Sequence, residues 1–207
     1  MKRLRVLQML NFWRLIPAYM CICIASEEVK NVVIEELYHW KKCDKRKEVS
    51  RFDIFSGLIL ERKEYRSLLH YRFNRGGAKL LLKILFPGMD TLYINTPKIG
   101  PRLFIQHGFA TNISAKQIGS DCWINQQVTI GYTFAPEPPI IGNGVRVSAG
   151  AKVVGNITIG DNAIIAANAA VVKDVRENEV VGGVPAKTIG ENVEHKLYFG
   201  KNENVLK

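Results

Sequence analysis

The chain reads as an α+β protein in which a helical N-terminal domain is followed by a left-handed parallel β-helix, and three observations carry that reading. Aliphatic residues recur every six positions through the second half, helical apolar spacing with capping residues fills the first, and the charge is divided unequally between them. The expected organisation is a helical domain over 1–90, a β-helix over 91–190 and a C-terminal tail over 191–207.

The helical elements follow in chain order. Leu4, Leu7, Met9, Leu10, Trp13 and Ile16 approximate one apolar face beside Arg3, Arg5 and Arg14, as in a helix that docks on its own domain, on another subunit or on a membrane surface. The apolar run Leu15 to Ala25 is too short to span a bilayer, and no convincing small-residue cleavage site follows it. Ser26-Glu27-Glu28 places a hydroxyl cap and two carboxylates where free N–H groups and the helix dipole favour them, and Val29, Val33, Leu37 and Trp40 continue at helical spacing. Lys41 to Lys47 breaks that spacing and is expected as an exposed loop. Ser50 caps a helix running to Leu60, Glu64 to Phe73 makes another, and Ala78 to Phe86 ends at Pro87-Gly88. His39 and His70 are expected as satisfied polar side chains on helix surfaces.

The second half carries the repeat. Ile141, Val147, Val153, Ile159, Ile165 and Val171 form an unbroken ladder, preceded by Ile118, Ile124 and Ile130 and by Ile99 and Ile105. Four residues after successive ladder positions stand Val145, Ala151, Ile157, Ala163 and Ala169. A helix needs a period of 3.6 and tolerates little glycine, so a six-residue period rich in Gly, Asn and Asp points to a triangular solenoid of one strand and one corner per hexad. Two steps break the count. Ile105 to Ile118 is thirteen residues, and Ile130 to Ile141 is eleven and contains Tyr132-Thr-Phe-Ala-Pro-Glu-Pro-Pro139, read as a protruding loop.

Composition narrows the function classes. Of the net charge of +10, residues 1–98 hold 19 basic and 10 acidic side chains and residues 99–207 hold 10 and 9. The helical half is therefore the basic one, which suits an anionic membrane face or a negatively charged carrier as well as plain solvation. Nothing resembles a nucleic-acid module, so nucleic acid is not expected as a partner. Cys21, Cys23, Cys43 and Cys122 form no C-x-x-C pair and no histidine stands at ligand spacing, so no metal is expected and the thiols suit a cytoplasmic protein.

The ladder, Ile105-Gln-His-Gly108, Gln127-Val-Thr-Ile-Gly131, Val147-Ser-Ala-Gly-Ala-Lys152, Val171-Val-Lys-Asp174 and Val181-Gly-Gly-Val-Pro-Ala-Lys187 resemble hexapeptide-repeat acetyltransferases of the serine acetyltransferase type. The resemblance covers Thr96 to about Gly190, and Glu64 to Arg72 is weakly similar to the helical part of the branch that acetylates polysaccharide precursors. It implies acetyl-CoA as co-substrate and a homotrimer whose cofactor groove lies between neighbouring β-helices. His107, the one histidine in the coils, is then the general base, a role that an imidazole suits. By position, backbone near Gly131, Ala149 and Ala167 meets the pantetheine arm and thioester, and Lys173 and Lys187 lie near the nucleotide phosphates.

Departures from that family bear on the acceptor. The acidic residue that usually stands fifteen positions before the catalytic histidine is replaced by Leu92, with Asp90 two residues away, and Asp90 or Asn95 is the candidate to orient His107. Pro136-Glu-Pro-Pro-Ile140 replaces an Asp-Arg-His-Pro-Lys segment, removing a second active-site histidine and an arginine for the serine carboxylate. The expectation is accordingly O-acetylation of a sugar or glycan hydroxyl in capsule or exopolysaccharide synthesis. Serine O-acetylation in cysteine biosynthesis is the alternative, followed by a non-catalytic trimeric scaffold; transfer to an amine stays open. A three-histidine zinc site of carbonic anhydrase type is excluded, because the coils hold one histidine.

Overall fold

The computed structural model describes residues 2–74, 76–132 and 137–192. It divides into two compact units, Met1–Ile94 and Asn95–Lys207.

Among its described residues the first unit holds six helices: α1 Lys2–Leu10, α2 Phe12–Cys23, α3 Glu27–Cys43, α4 Arg51–Glu61, α5 Lys63–Arg72 and α6 Gly77–Leu85. The apolar stretch expected as one N-terminal helix is two, bent by 86° around Asn11, whose side-chain amide donates to the Leu7 carbonyl at 2.9 Å. No single helix among the described residues is long and apolar enough to cross a membrane. The core is built from the inward stripes of these helices, with Leu15 and Ala18 of α2, Leu37 and Trp40 of α3, Phe55 and Leu58 of α4, Tyr65 and Leu68 of α5 and Leu82 of α6 all buried. Ser50 caps α4 as expected, its Oγ accepting from the Asp53 amide at 3.0 Å. Ser26 has the extended backbone of a cap at α3 but makes no side-chain capping bond.

Two expectations for this unit are corrected. The 41–47 segment is not simply an exposed loop: α3 runs on to Cys43, and Arg46 is drawn inward by Asp44 at 3.2 Å, Glu48 at 3.1 Å and Glu61 at 2.8 Å. An arginine holding three carboxylates closes the α3–α4 connection where local sequence shows only charge. His70 does not lie on a helix surface but is buried, with its ring near the backbone of Leu82 and Phe86. Burial, followed by the nearby ammonium of Lys83, pushes its pKa down to about 4.

The second unit is the left-handed parallel β-helix. One face stacks Phe104–Ile105, Trp123–Ile124, Arg146–Val147, Ile164–Ile165 and Glu179–Gly182; the next stacks Thr111–Ile113, Thr129–Gly131, Lys152–Val154 and Ala170–Val171; the third stacks Gln117–Ile118, Ile140–Ile141 and Thr158–Ile159. Every pairing between coils is parallel, with ladder residue over ladder residue: Ile124 over Ile105, Val147 over Ile124, Val153 over Ile130. The ladder and its companions Val145, Ala151, Ala163 and Ala169 are buried, so each hexad contributes two apolar side chains to the axis. Glycine is needed at two kinds of corner. Gly150 has φ of +75°, and a Cβ on Gly160 would lie 2.4 Å from the Glu177 amide nitrogen. The last coil is closed by an antiparallel strand, Lys187–Glu191, folded back on Glu179–Gly182. There Thr188 donates to Glu179, and that bond, followed by the Arg176 amide, lowers the Glu179 pKa.

Register resolves the two irregular steps. Ile113, which lies outside the six-residue ladder, occupies the place below Ile130, so the thirteen residues divide into eight from Ile105 to Ile113 and five from Ile113 to Ile118. The coil above needs only six, from Ile124 to Ile130. The corner between Ile105 and Ile113 is therefore enlarged by two residues, and it contains His107. Ile130 and Ile141 belong to adjacent faces, so the eleven residues between them are one step lengthened by five. Residues 133–136 of the expected protruding loop lie outside the described residues.

Candidate active site

His107 sits in the enlarged corner with φ of +58°, and Ala110 three residues on has φ of +51°. Left-handed backbone costs an L-residue about 1–2 kcal/mol, and the equivalent corners above manage with one such residue each, Gln127, Gly150 and Asn168. The doubled turn leaves the His107 side chain exposed and Gly108 buried beneath it. The Phe109 amide donates back to the His107 carbonyl, which tightens the turn.

Above this turn the corners stack in register. The Gln127 amide donates to the Phe109 carbonyl at 3.0 Å, the Gly150 amide to the Gln126 carbonyl at 3.0 Å, and the Asn168 amide to the Ala149 carbonyl at 2.9 Å. Ala149 and Ala167 thus continue upward the corner that begins at His107–Ala110. Their amide N–H groups have no described partner, and their side chains end at Cβ, so carbonyl groups of an extended ligand can approach this backbone. Lys152 steadies the column by donating from Nζ to the Gln127 carbonyl at 2.5 Å.

Gly131 and Lys173 lie at the opposite edge of the same face. Gly131 pairs in register with Val154, and Val171 pairs with Val153, which brings the Val172–Lys173 pair above that level. A Cβ on Gly131 would meet nothing within 4 Å, and Lys173 is exposed. Lys187 is exposed at the start of the closing strand, paired with Gly182. The structure therefore brings His107, Ala149 and Ala167 to one corner, Gly131 and Lys173 to the next, and Lys187 to the top coil.

Of the two candidates to orient His107, Asp90 lines a hollow in the helical unit, and Asn95 donates its backbone N–H to the Ile113 carbonyl at 2.9 Å. Polar groups missed by sequence reasoning cluster in the coils at this corner instead. Asn125 Nδ2 donates to Gln106 Oε1 at 3.2 Å, while Asn125 Oδ1 and Gln126 Oε1 are buried without a partner among the described residues. Gln106 precedes His107 directly, a proximity visible in sequence, but the approach of Asn125 and Gln126 depends on register. Among the described residues, no three His, Cys, Asp or Glu side chains come together to hold a metal.

Similarity to known proteins agrees with this architecture. Residues 138–173 match the family described as bacterial transferase hexapeptide (six repeats). A serine acetyltransferase of Helicobacter pylori strain J99 is 44% identical over 96 residues, covering 44% of this chain and 56% of that protein. The crystal structure of serine acetyltransferase from Brucella abortus strain S19 superposes with a TM-score of 0.64 at 26% identity, covering 84% of this chain and 74% of that one. A serine acetyltransferase complexed with CoA has the same fold at a TM-score of 0.57 and 24% identity, covering 79% of this chain and 70% of that one. The chain spans about half the length of the curated relatives it matches, between 39% and 56% for three of them. These relatives overturn the expectation of a glycan acceptor, which rested on residues lacking from the sequence, because they are named for serine. In repeat, fold and relatives alike, the chain is similar to the hexapeptide-repeat acetyltransferases of the serine acetyltransferase type.

Proposed function

We propose that the protein is an acetyl-CoA-dependent O-acetyltransferase with L-serine as acceptor and His107 as general base. The observation that carries this reading is the enlarged corner: two additional residues and two left-handed backbone positions display an imidazole at the foot of the corner stack that includes Ala149 and Ala167. The relatives named as serine acetyltransferases supply the acceptor, and the one complexed with CoA supplies the donor.

The chemistry follows from those groups. The neutral imidazole of His107 takes the proton of the serine hydroxyl as its oxygen attacks the thioester carbonyl, forming the C–O bond and an oxyanion. Collapse of that tetrahedral species breaks the C–S bond, and the imidazolium returns its proton to the departing thiolate, giving O-acetylserine and free CoA. The Ala149 and Ala167 amides serve the pantetheine arm, Gly131 leaves room beside it, and Lys173 and Lys187 meet the phosphates. The protein assembles as a homotrimer, so that a second β-helix supplies the other wall of the groove.

The test is thiol release from acetyl-CoA in the presence and absence of L-serine, with the product identified by mass. Release that requires serine and yields O-acetylserine supports the reading. Acetyl-CoA binding without serine-dependent release refutes serine as acceptor.

A further inference from the structure

The helical unit carries a large uncovered apolar surface that acetyl transfer does not use. On α2, Phe12, Trp13 and Met20, with its C-cap residue Ile24, are 58%, 70%, 55% and 77% exposed and occupy the side opposite buried Leu15, Ala18 and Ile22. No charged residue interrupts that outer face, because the single charge of α2, Arg14, turns inward to bond the Leu85 carbonyl and stack over Phe86 at 4.4 Å. The same bond ties α2 to α6, whose outward residues Leu80 and Ile84 are 61% and 67% exposed, and α1 adds Met9 and Leu10. Scattered exposed apolar residues are ordinary; eight large ones on three contiguous helices are not.

Charge identifies what covers this face. Residues 1–26 and 65–89 contain no Asp or Glu, so α1, α2 and α6 carry only cations, among them Arg3, Arg5, Arg14, Lys79 and Lys83. Lys79 and Lys83 stand one turn apart on α6 and both line a hollow of about 390 Å³. Asp90 lines the same hollow and Lys79 donates to the Asn74 carbonyl at 2.6 Å, so the pair is only partly compensated, and an anionic surface relieves the remaining like charge at that spacing. A second copy of the chain would bring the same cations against these, whereas a lipid surface with phosphate headgroups complements both the apolar side chains and the charge.

We infer that α1, α2 and α6 form a docking face that seats the protein on the surface of an anionic lipid bilayer, without crossing it. Trp13, Leu10 and Ile84 enter the headgroup region, while exposed Arg3, Arg5 and Lys83 meet lipid phosphates. This inference is independent of the acceptor.

Trp13 reports on it, because the other two tryptophans, Trp40 and Trp123, are buried. The full chain is mixed at low salt with vesicles of phosphatidylcholine alone or of equal parts phosphatidylcholine and phosphatidylglycerol, and both sedimentation and the Trp emission maximum are recorded. Expected are binding to the anionic vesicles, a blue shift that Trp13→Ser abolishes, and loss of binding as salt rises. Leu80→Glu with Ile84→Glu, both exposed and therefore compatible with folding by circular dichroism, weakens partition by about tenfold or more. Neutralising Lys83 weakens it by about fivefold. The inference is overturned if the wild-type chain stays in the supernatant with anionic vesicles, or if binding is indifferent to these substitutions. It is equally overturned if Trp13 is protected from acrylamide without lipid and becomes quenchable only when the oligomer dissociates, which assigns the face to a second copy.

Discussion

His70 makes the stability of the helical unit depend on pH between the pKa of a free imidazole and its own lowered value. Burial holds the folded pKa at about 4 against an ordinary 6.5; hydrogen bonding with the Leu82 backbone is the largest opposing influence, followed by repulsion from the Lys83 ammonium, the Phe86 backbone pulling upward and Lys79 adding a smaller repulsion. The unfolded chain therefore binds the proton first as pH falls. Stability is complete above about pH 6.5, declines as pH drops toward 4, and is not lost further below that through this group. Fully expressed, the displacement is worth about 3 kcal/mol, and relaxation of the surroundings on charging the ring reduces it to about 1–3 kcal/mol. The assay is urea unfolding of the full chain at a series of pH values, beside an NMR titration of the histidine ring protons. His70→Gln, which cannot charge, should flatten the slope in this window relative to wild type. A His70 resonance titrating near 6.5, or an unchanged slope in the variant, refutes the reasoning.

Two further outcomes follow from packing. Arg72 holds the buried carboxylate of Glu36, with Nε to Oε1 at 3.0 Å and Nη2 to Oε1 at 2.5 Å, so Arg72→Met should cost about 3–5 kcal/mol by leaving a buried charge. Adding Glu36→Gln should recover most of that loss in urea unfolding; failure to recover any would show that Arg72 acts through its packing instead. Ala167→Trp places a bulky side chain at an exposed corner above Ala149 and should raise KM for acetyl-CoA about tenfold or more with an unchanged circular dichroism spectrum. An unchanged KM would move the thioester arm away from this corner.

How much of this was legible beforehand depended on whether the determining contact was local. The β-helix declares itself because each buried ladder residue repeats at six, and the caps and breaks at Ser50 and Pro87-Gly88 depend on neighbouring residues alone. The bend between α1 and α2 has no glycine or proline at Asn11 to announce it, and the closure around Arg46 depends on Glu61, fifteen residues away. Spacing revealed that thirteen residues separate Ile105 from Ile118, but only register shows that the excess gathers at His107 and is offset by a short step to Ile118. The acceptor expectation suffers from a related limit of local sequence. The absence of one arginine and one histidine from a motif ranks serine second to a glycan hydroxyl, whereas the relatives are named for serine.

The central claim is that the His107 imidazole carries the proton of acetyl transfer, and the most direct measurement is serine-dependent thiol release by wild type and His107→Ala, beside CoA binding by each. The expected result is a variant that still binds CoA but loses at least about a hundredfold in kcat. A His107→Ala protein that transfers acetyl at the wild-type rate would contradict it.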